Sequence, residues 1–183
     1  MTSTPSAREI LRDRAIVALL ISTLVGSTAA LVQVTALGKQ LYDITGRDID
    51  LGLLGLAEFL PAMLLVAVTG SVADRFDRRR IATIGLVGEA CASGGLAWHA
   101  AIGSTEVWPI YALVIGFGAA RAFVTPAMRS MPPDLAPVGG LPRLIAFGSA
   151  GFQTALIIGP VLAGFLFVVS PSAPFIALSL IHI

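Results

Sequence analysis

The chain has 183 residues, 56% of them hydrophobic and 13% charged, with a net charge of +1, and its mean hydropathy is +0.87. Soluble domains carry roughly 25% charged residues, so the composition argues against a soluble class, and the distribution of charge informs more than its total. The lone Cys91 rules out a disulfide framework, while His99 and His182 are too few and too far apart for metal-ligand spacing.

Residues 1–14 carry Arg8, Arg12 and Arg14 ahead of the apolar run Ala15–Leu37. A signal peptide starts similarly, but its apolar region is about 7–15 residues. This longer run, with no clean cleavage-like site after it, reads as a retained membrane helix behind a short cytoplasmic terminus. A spanning helix needs about 20 mostly apolar residues, and 51–72, 81–101, 107–124 and 144–169 also qualify. Trp98 and Trp108 bracket the short 101–107 connection, as interfacial aromatics do. The Pro- and Gly-rich 126–142 connector contains a stretch, 128–135, expected to lie on the surface. A sixth run, 172–183, stops about 12 residues in, short of a span. It is expected to be a helix cut mid-span or an altered reading frame.

Arginine and lysine in short loops set orientation. The N-terminus has three, the loop after the second run has Arg75, Arg78, Arg79 and Arg80, and the next loop on that side has Arg129 and Arg143. The opposite loops hold only Lys39 and Arg47, beside Asp43, Asp48 and Asp50. Five crossings with a cytoplasmic N-terminus fit this alternation, implying a multi-pass protein of the cell (inner) membrane.

The cluster Gly70-Ser-Val-Ala-Asp74-Arg75-Phe-Asp77-Arg78-Arg79-Arg80 is expected to be a short loop at the water interface. Gly70 permits close helix approach, and Asp74 at a helix end can meet basic partners or a neighbouring helix N-terminus. The alternative is a merely positive inside loop. The spacing of Gly70, Asp74, Arg75, Arg78 and Arg79 resembles the signature between helices two and three of the major facilitator superfamily. Asp77 takes the place of the second glycine of that pattern, and aspartate tolerates left-handed backbone better than most residues. In the fifth run, Ala155-Leu-Ile-Ile-Gly159-Pro160-Val-Leu-Ala163-Gly164 resembles the glycine-proline motif of the antiporter branch, with alanine replacing glycine at 155 and 163. A proline there kinks the helix, and small residues allow close packing, which an ordinary proline kink would also do. The segments Leu41–Gly46, Leu51–Gly55, Pro61 and Arg121–Ala127 resemble the branch containing the enterobactin exporter. The resemblance implies efflux of a siderophore or similar amphiphile, although drug exporters share these features.

Charged side chains within membrane runs are functional candidates by default. Glu58 falls about 10 Å inside one end of the second helix, and Glu89 about 12 Å inside the cytoplasmic end of the third, at 1.5 Å per residue. Arg121 lies near the inner end of the fourth, at a depth where it and Glu89 could pair. A proton-carrying Glu58 or Glu89 competes with outer-cavity solvation of Glu58 and a structural Glu89–Arg121 pair. Arg121 either orients an anion or snorkels to the interface. Gln33 is a candidate substrate contact because helix one lines the cavity in the resembled family. Interhelical hydrogen bonding is its other reading and the expected role of Gln153 and Thr154, and Cys91 reads as a small core residue.

The sequence therefore predicts an all-α membrane protein, the N-terminal six-helix half of a major facilitator fold with its sixth helix truncated. No enzyme motif, cofactor loop, metal site or nucleic-acid signature is found. The expected partners are a small-molecule substrate, the lipid bilayer and the missing C-terminal half, and the expected activity is proton-coupled export. Import or uniport of a small solute, and a non-transporting membrane scaffold, are the alternatives.

Overall fold

A computed structural model describes residues 5–75, 77–129 and 131–181; the side chains of 66–67, 70–75, 78–79, 127, 129 and 131 also lie outside the described residues. All elements among the described residues are helices: α1 (Ala7–Ile10), α2 (Arg14–Thr45), α3 (Asp48–Arg75), α4 (Arg78–Ala101), α5 (Trp108–Arg129), α6 (Met131–Leu135), α7 (Leu141–Val169) and α8 (Ala173–Ile181).

Cap chemistry explains where several of them begin and end. Ser6 and Glu9 form a reciprocal capping box: the Ser6 N–H donates to Glu9 Oε2 at 2.6 Å, and the Glu9 N–H donates to Ser6 Oγ at 3.3 Å. That turn aims Ile10, 1% exposed, into a small cluster with Ile16 and Leu144. Arg143 adds a hydrogen bond to the carbonyl of Pro5, so the N-terminal segment is tied to the start of α7. Asp13 caps α2 by accepting from the Ala15 N–H at 2.8 Å.

The helices differ from those predicted at the ends of α2, α3 and α5 and at the starts of α3, α4 and α7, and two of these differences bear on the predicted loops. α2 does not stop at Leu37 but runs to Thr45. Past the apolar run it is held by the Lys39–Asp43 ion pair at 2.7 Å, and it ends at Gly46, whose φ of 62° needs a glycine. The second difference concerns the basic cluster, which is not a loop of its own. Gly70 to Arg75 continue α3, and Arg78 to Arg80 begin α4. Alanine and arginine are good helix formers and water at the interface satisfies the ends, so the helices outrun the apolar runs. Asp77 lies between them and its carbonyl accepts from the Ile81 N–H at 3.1 Å.

Four helices are long and apolar enough to cross a membrane among the described residues, within Arg14–Thr45, Arg80–Ala101, Trp108–Pro126 and Leu141–Val169. α3 is not among these four, and α8 has nine described residues. Among the described residues the structure thus shows helices only, four of them such spans, where the sequence predicted five and part of a sixth.

The helices pack in two groups, with α7 against α2 and α5 between α3 and α4, and α8 touches both α2 and α4. Their shared core is built from Leu37 and Leu41 of α2, Leu96 of α4, Ile110 and Val114 of α5, and Phe175 and Leu178 of α8, all 1% exposed or less. The α2–α7 contact rests on Gly159, where an added Cβ would come within 2.6 Å of Leu31 Cβ.

Candidate functional site

Two of the charged side chains set within the apolar runs, Glu58 and Arg121, meet between α3 and α5. Gly55, Glu58, Phe59, Ala62 and Thr69 recur at helical spacing along one face of α3, and Gly118, Arg121, Ala122, Thr125 and Pro126 along one face of α5. Between these faces lies an open cleft of about 560 Å³. Its walls are mostly apolar, with Glu58 and Arg121 the charged residues among those lining it.

Helix approach sets this geometry. Gly118 lies directly against the α3 backbone at Glu58: a Cβ there would fall on the Glu58 carbonyl oxygen, with the carbonyl carbon at 3.2 Å and Cα at 3.4 Å. Backbone atoms cannot give way as a side-chain tip can, so the site needs glycine at 118. Arg121 follows about one turn later, with its guanidinium 5.8 Å from the Phe117 ring centre, within cation–π range. Behind α5, Gly88 of α4 approaches Ala120 so closely that an added Cβ would lie 3.0 Å from the alanine methyl. That approach carries the adjacent Glu89, 4% exposed, into the interior. The charges of Arg121 and Glu89 both act on Glu58. Arg121 of α5 and Glu89 of α4 thus both bear on Glu58 of α3, while the ion pairs among the described residues are Lys39–Asp43 and Arg47–Asp50.

Gln33 sits elsewhere. It is 1% exposed and accepts a hydrogen bond from Ser93 Oγ at 3.0 Å, which ties α2 to α4 away from the cleft. One heptad along α2, Gln40 Nε2 meets His99 Nδ1 at 3.4 Å. The spacing of seven between the two glutamines is the one sequence signal for this polar seam. Gln153 and Thr154 of α7 are both exposed, and Thr154 returns its hydroxyl to the Ala150 carbonyl at 2.9 Å. Hydropathy does not single out Gly118, whose role depends on what faces it.

The α7 motif divides into a packing face and an outer face. Ala155, Gly159 and Ala163 are buried, at 0% and 1% for the alanines. Pro160 and Gly164 are exposed, and an added Cβ at Gly164 would meet nothing within 4 Å. Of the basic cluster, Gly70, Asp74, Arg75, Arg78 and Arg79 have side chains outside the described residues, and Asp77 is exposed. Among the described residues no group of three or more His, Cys, Asp or Glu is placed to hold a metal ion.

A carboxylate and a guanidinium in an apolar-walled cleft can bind a small amphiphilic anion, or exchange a proton while the opposite charge stays nearby. Residues 5–182 match the protein family described as transmembrane secretion effector. An uncharacterized MFS-type transporter of Bacillus subtilis (strain 168), YfiS, is 27% identical over 123 residues, which cover 67% of this chain. The chain spans 28% of the length of that relative. No solved structure matches the chain.

Proposed function

The chain belongs to the transmembrane secretion effector family of major facilitator (MFS-type) membrane transporters, and from that membership we propose that it works in a proton-coupled exporter of a siderophore, drug or similar small amphiphile. The observation that carries this reading is the α3–α5 cleft, where Glu58 and Arg121 face apolar walls and Glu89 lies within electrostatic range. Glu58 is the proposed proton carrier, Glu89 the second candidate for that role, and Arg121 the group that orients an anionic portion of the substrate. Phe59, 62% exposed, offers an apolar surface for the rest of the molecule.

In this reading the chain is the N-terminal part of the transporter, and a second half pairs with it across the open cleft. The partial coverage of the relative supports that pairing. The helices make up a six-helix half, with the N-terminus and the 70–80 cluster on the cytoplasmic side of the inner membrane. The cluster of Gly70, Asp74, Arg75, Asp77, Arg78 and Arg79 serves as a gating element, and the motif around Gly159, Pro160 and Gly164 of α7 helps seal the halves. The branch containing the enterobactin exporter remains the proposed placement within the superfamily.

The test uses the full-length transporter in liposomes with an imposed proton gradient. Glu58→Gln and Glu89→Gln are expected to weaken pH-dependent efflux at least tenfold, and unchanged efflux in both would sink the proton-carrier assignment. Flux in the opposite direction would favour an importer or uniporter. Asp74→Asn without any transport defect would favour a scaffold, because no gated cycle would exist to disturb.

A further inference from the structure

His99 is buried at 5% exposure near the end of α4 farthest from the 70–80 cluster, and the cleft chemistry does not use it. Its two ring nitrogens have unlike partners. Nε2 lies 2.8 Å from the Glu106 carbonyl in the connection to α5, and Nδ1 lies 3.4 Å from Gln40 Nε2 on α2. A carbonyl only accepts, so Nε2 carries the hydrogen; Nδ1 is then the lone pair that receives the Gln40 N–H. One neutral imidazole therefore ties the α4–α5 connection to α2. The same arrangement leaves Gln40 Oε1 buried with no hydrogen-bond partner, on a residue only 6% exposed.

We propose that His99 and Gln40 form a proton-binding site that tightens this end of the bundle when it is occupied. A proton from water added at Nδ1 turns that nitrogen from acceptor to donor, and the amide N–H can no longer face it. Rotating the Gln40 amide presents the unpartnered Oε1 to the new N–H. The neutral contact is then replaced by a charge-assisted one, which is roughly twice as strong.

The surroundings leave the site to act on its own. At this end, α2 contributes Lys39 and Asp43, paired to each other at 2.7 Å, the α2–α3 connection contributes Arg47, paired at 3.7 Å with Asp50 of α3, and Asp48 opens α3. Glu106 contacts the ring through its backbone carbonyl, and the Tyr111 hydroxyl of α5 donates to the Asp50 carbonyl at 3.3 Å. On α4, Glu89 lies ten residues, about 15 Å of helix, from His99, and on α5 Arg121 lies 13 residues past Trp108, while Arg78, Arg79 and Arg80 of α4 and Arg129 of α5 lie at the far ends of those helices. α8 brings no titratable group among its described residues.

The test is hydrogen exchange on the chain in lipid nanodiscs, corrected for the intrinsic pH dependence of amide exchange. The amides of 99–107 are expected to exchange at least fivefold more slowly at pH 5.5 than at pH 8. His99→Gln and Gln40→Leu are expected to abolish that difference, with helicity checked by circular dichroism. Gln40→Glu, whose carboxylate accepts from Nδ1–H, is expected to show the slow pattern already at pH 8. In a His182→Gln background, ¹⁵N NMR at pH 8 should show the neutral Nε2–H form. Equal protection at both pH values, faster exchange at pH 5.5, an Nδ1–H neutral form, or a pH effect surviving in Gln40→Leu would each overturn the proposal. None of these readouts depends on transport, so failure here leaves the cleft assignment standing.

Discussion

Gly118 of α5 lies against the backbone carbonyl of Glu58 in α3, at a distance that admits no side chain. One missing methyl thereby sets both how closely two helices approach and where the cleft carboxylate stands relative to Arg121. In a membrane, where apolar burial does not drive helices together, such small-residue approaches supply much of the packing. The site and the fold are therefore coupled at one residue.

Gly118→Ala should push α3 off α5 and lower stability by about 1–3 kcal/mol, the usual cost of overpacking. Gly116→Ala is the control, since an added Cβ there meets nothing within 4 Å. Thermal unfolding in detergent should show a fall in Tm for the first variant and no fall for the second.

The Gln33–Ser93 hydrogen bond at 3.0 Å is buried. Ser93→Ala leaves Gln33 Oε1 without that donor and should cost about 1–3 kcal/mol. Adding Gln33→Leu to it should recover much of the loss. A double-mutant cycle measures the coupling, and simple additivity would show that the bond contributes nothing.

On α7 the two motif glycines should separate cleanly. Gly159→Ala drives a methyl into Leu31 and the Thr28 carbonyl of α2, at 2.6 and 3.4 Å, whereas Gly164→Ala points into open space. Only the former should weaken the α2–α7 contact, read as increased amide exchange near Thr28–Leu31.

At the N-terminus, the Ser6 hydrogen bonds hold the Glu9 carboxyl below its ordinary range, the backbone N–H first and the hydroxyl second. A folded-state value below the unfolded one means that the contribution is present above the unfolded pKa, roughly 4.3. It is lost as pH falls through the lower, folded-state value. Amide protection of 7–10 should therefore stay constant from pH 8 to 5 and decline only below the usual carboxylate range. Glu9→Gln, which removes the charge, should have lower protection than the native chain at pH 7 and no such acid step.

Much of the architecture was legible in the chain. The apolar runs beginning at Ala15, Ile81 and Leu144 each lie within a helix long enough to span, and the run from Val107 does so from Trp108 onward, because apolar transfer energy accumulates locally along a segment. The ends were less legible. α2 passes Leu37 because helix termination depends on Gly46 and on the Lys39–Asp43 pair, not on where the apolar residues stop. The α7 face could be read from spacing alone: Ala155, Gly159 and Ala163 recur every fourth residue, while Gly164 stands about 100° round the helix from Ala163.

By itself the sequence determined a multi-helix membrane protein and the polar residues worth questioning, since hydropathy and charge spacing are local properties. Only the tertiary structure decided which of those residues meet. It brought Glu58 and Arg121 to one cleft and Glu89 within range, and turned Gln33 away to Ser93. A helix can rotate about its axis without changing its composition, and that rotation is set by distant pairs such as Gly118 with Glu58, Gly88 with Ala120 and Gly159 with Leu31.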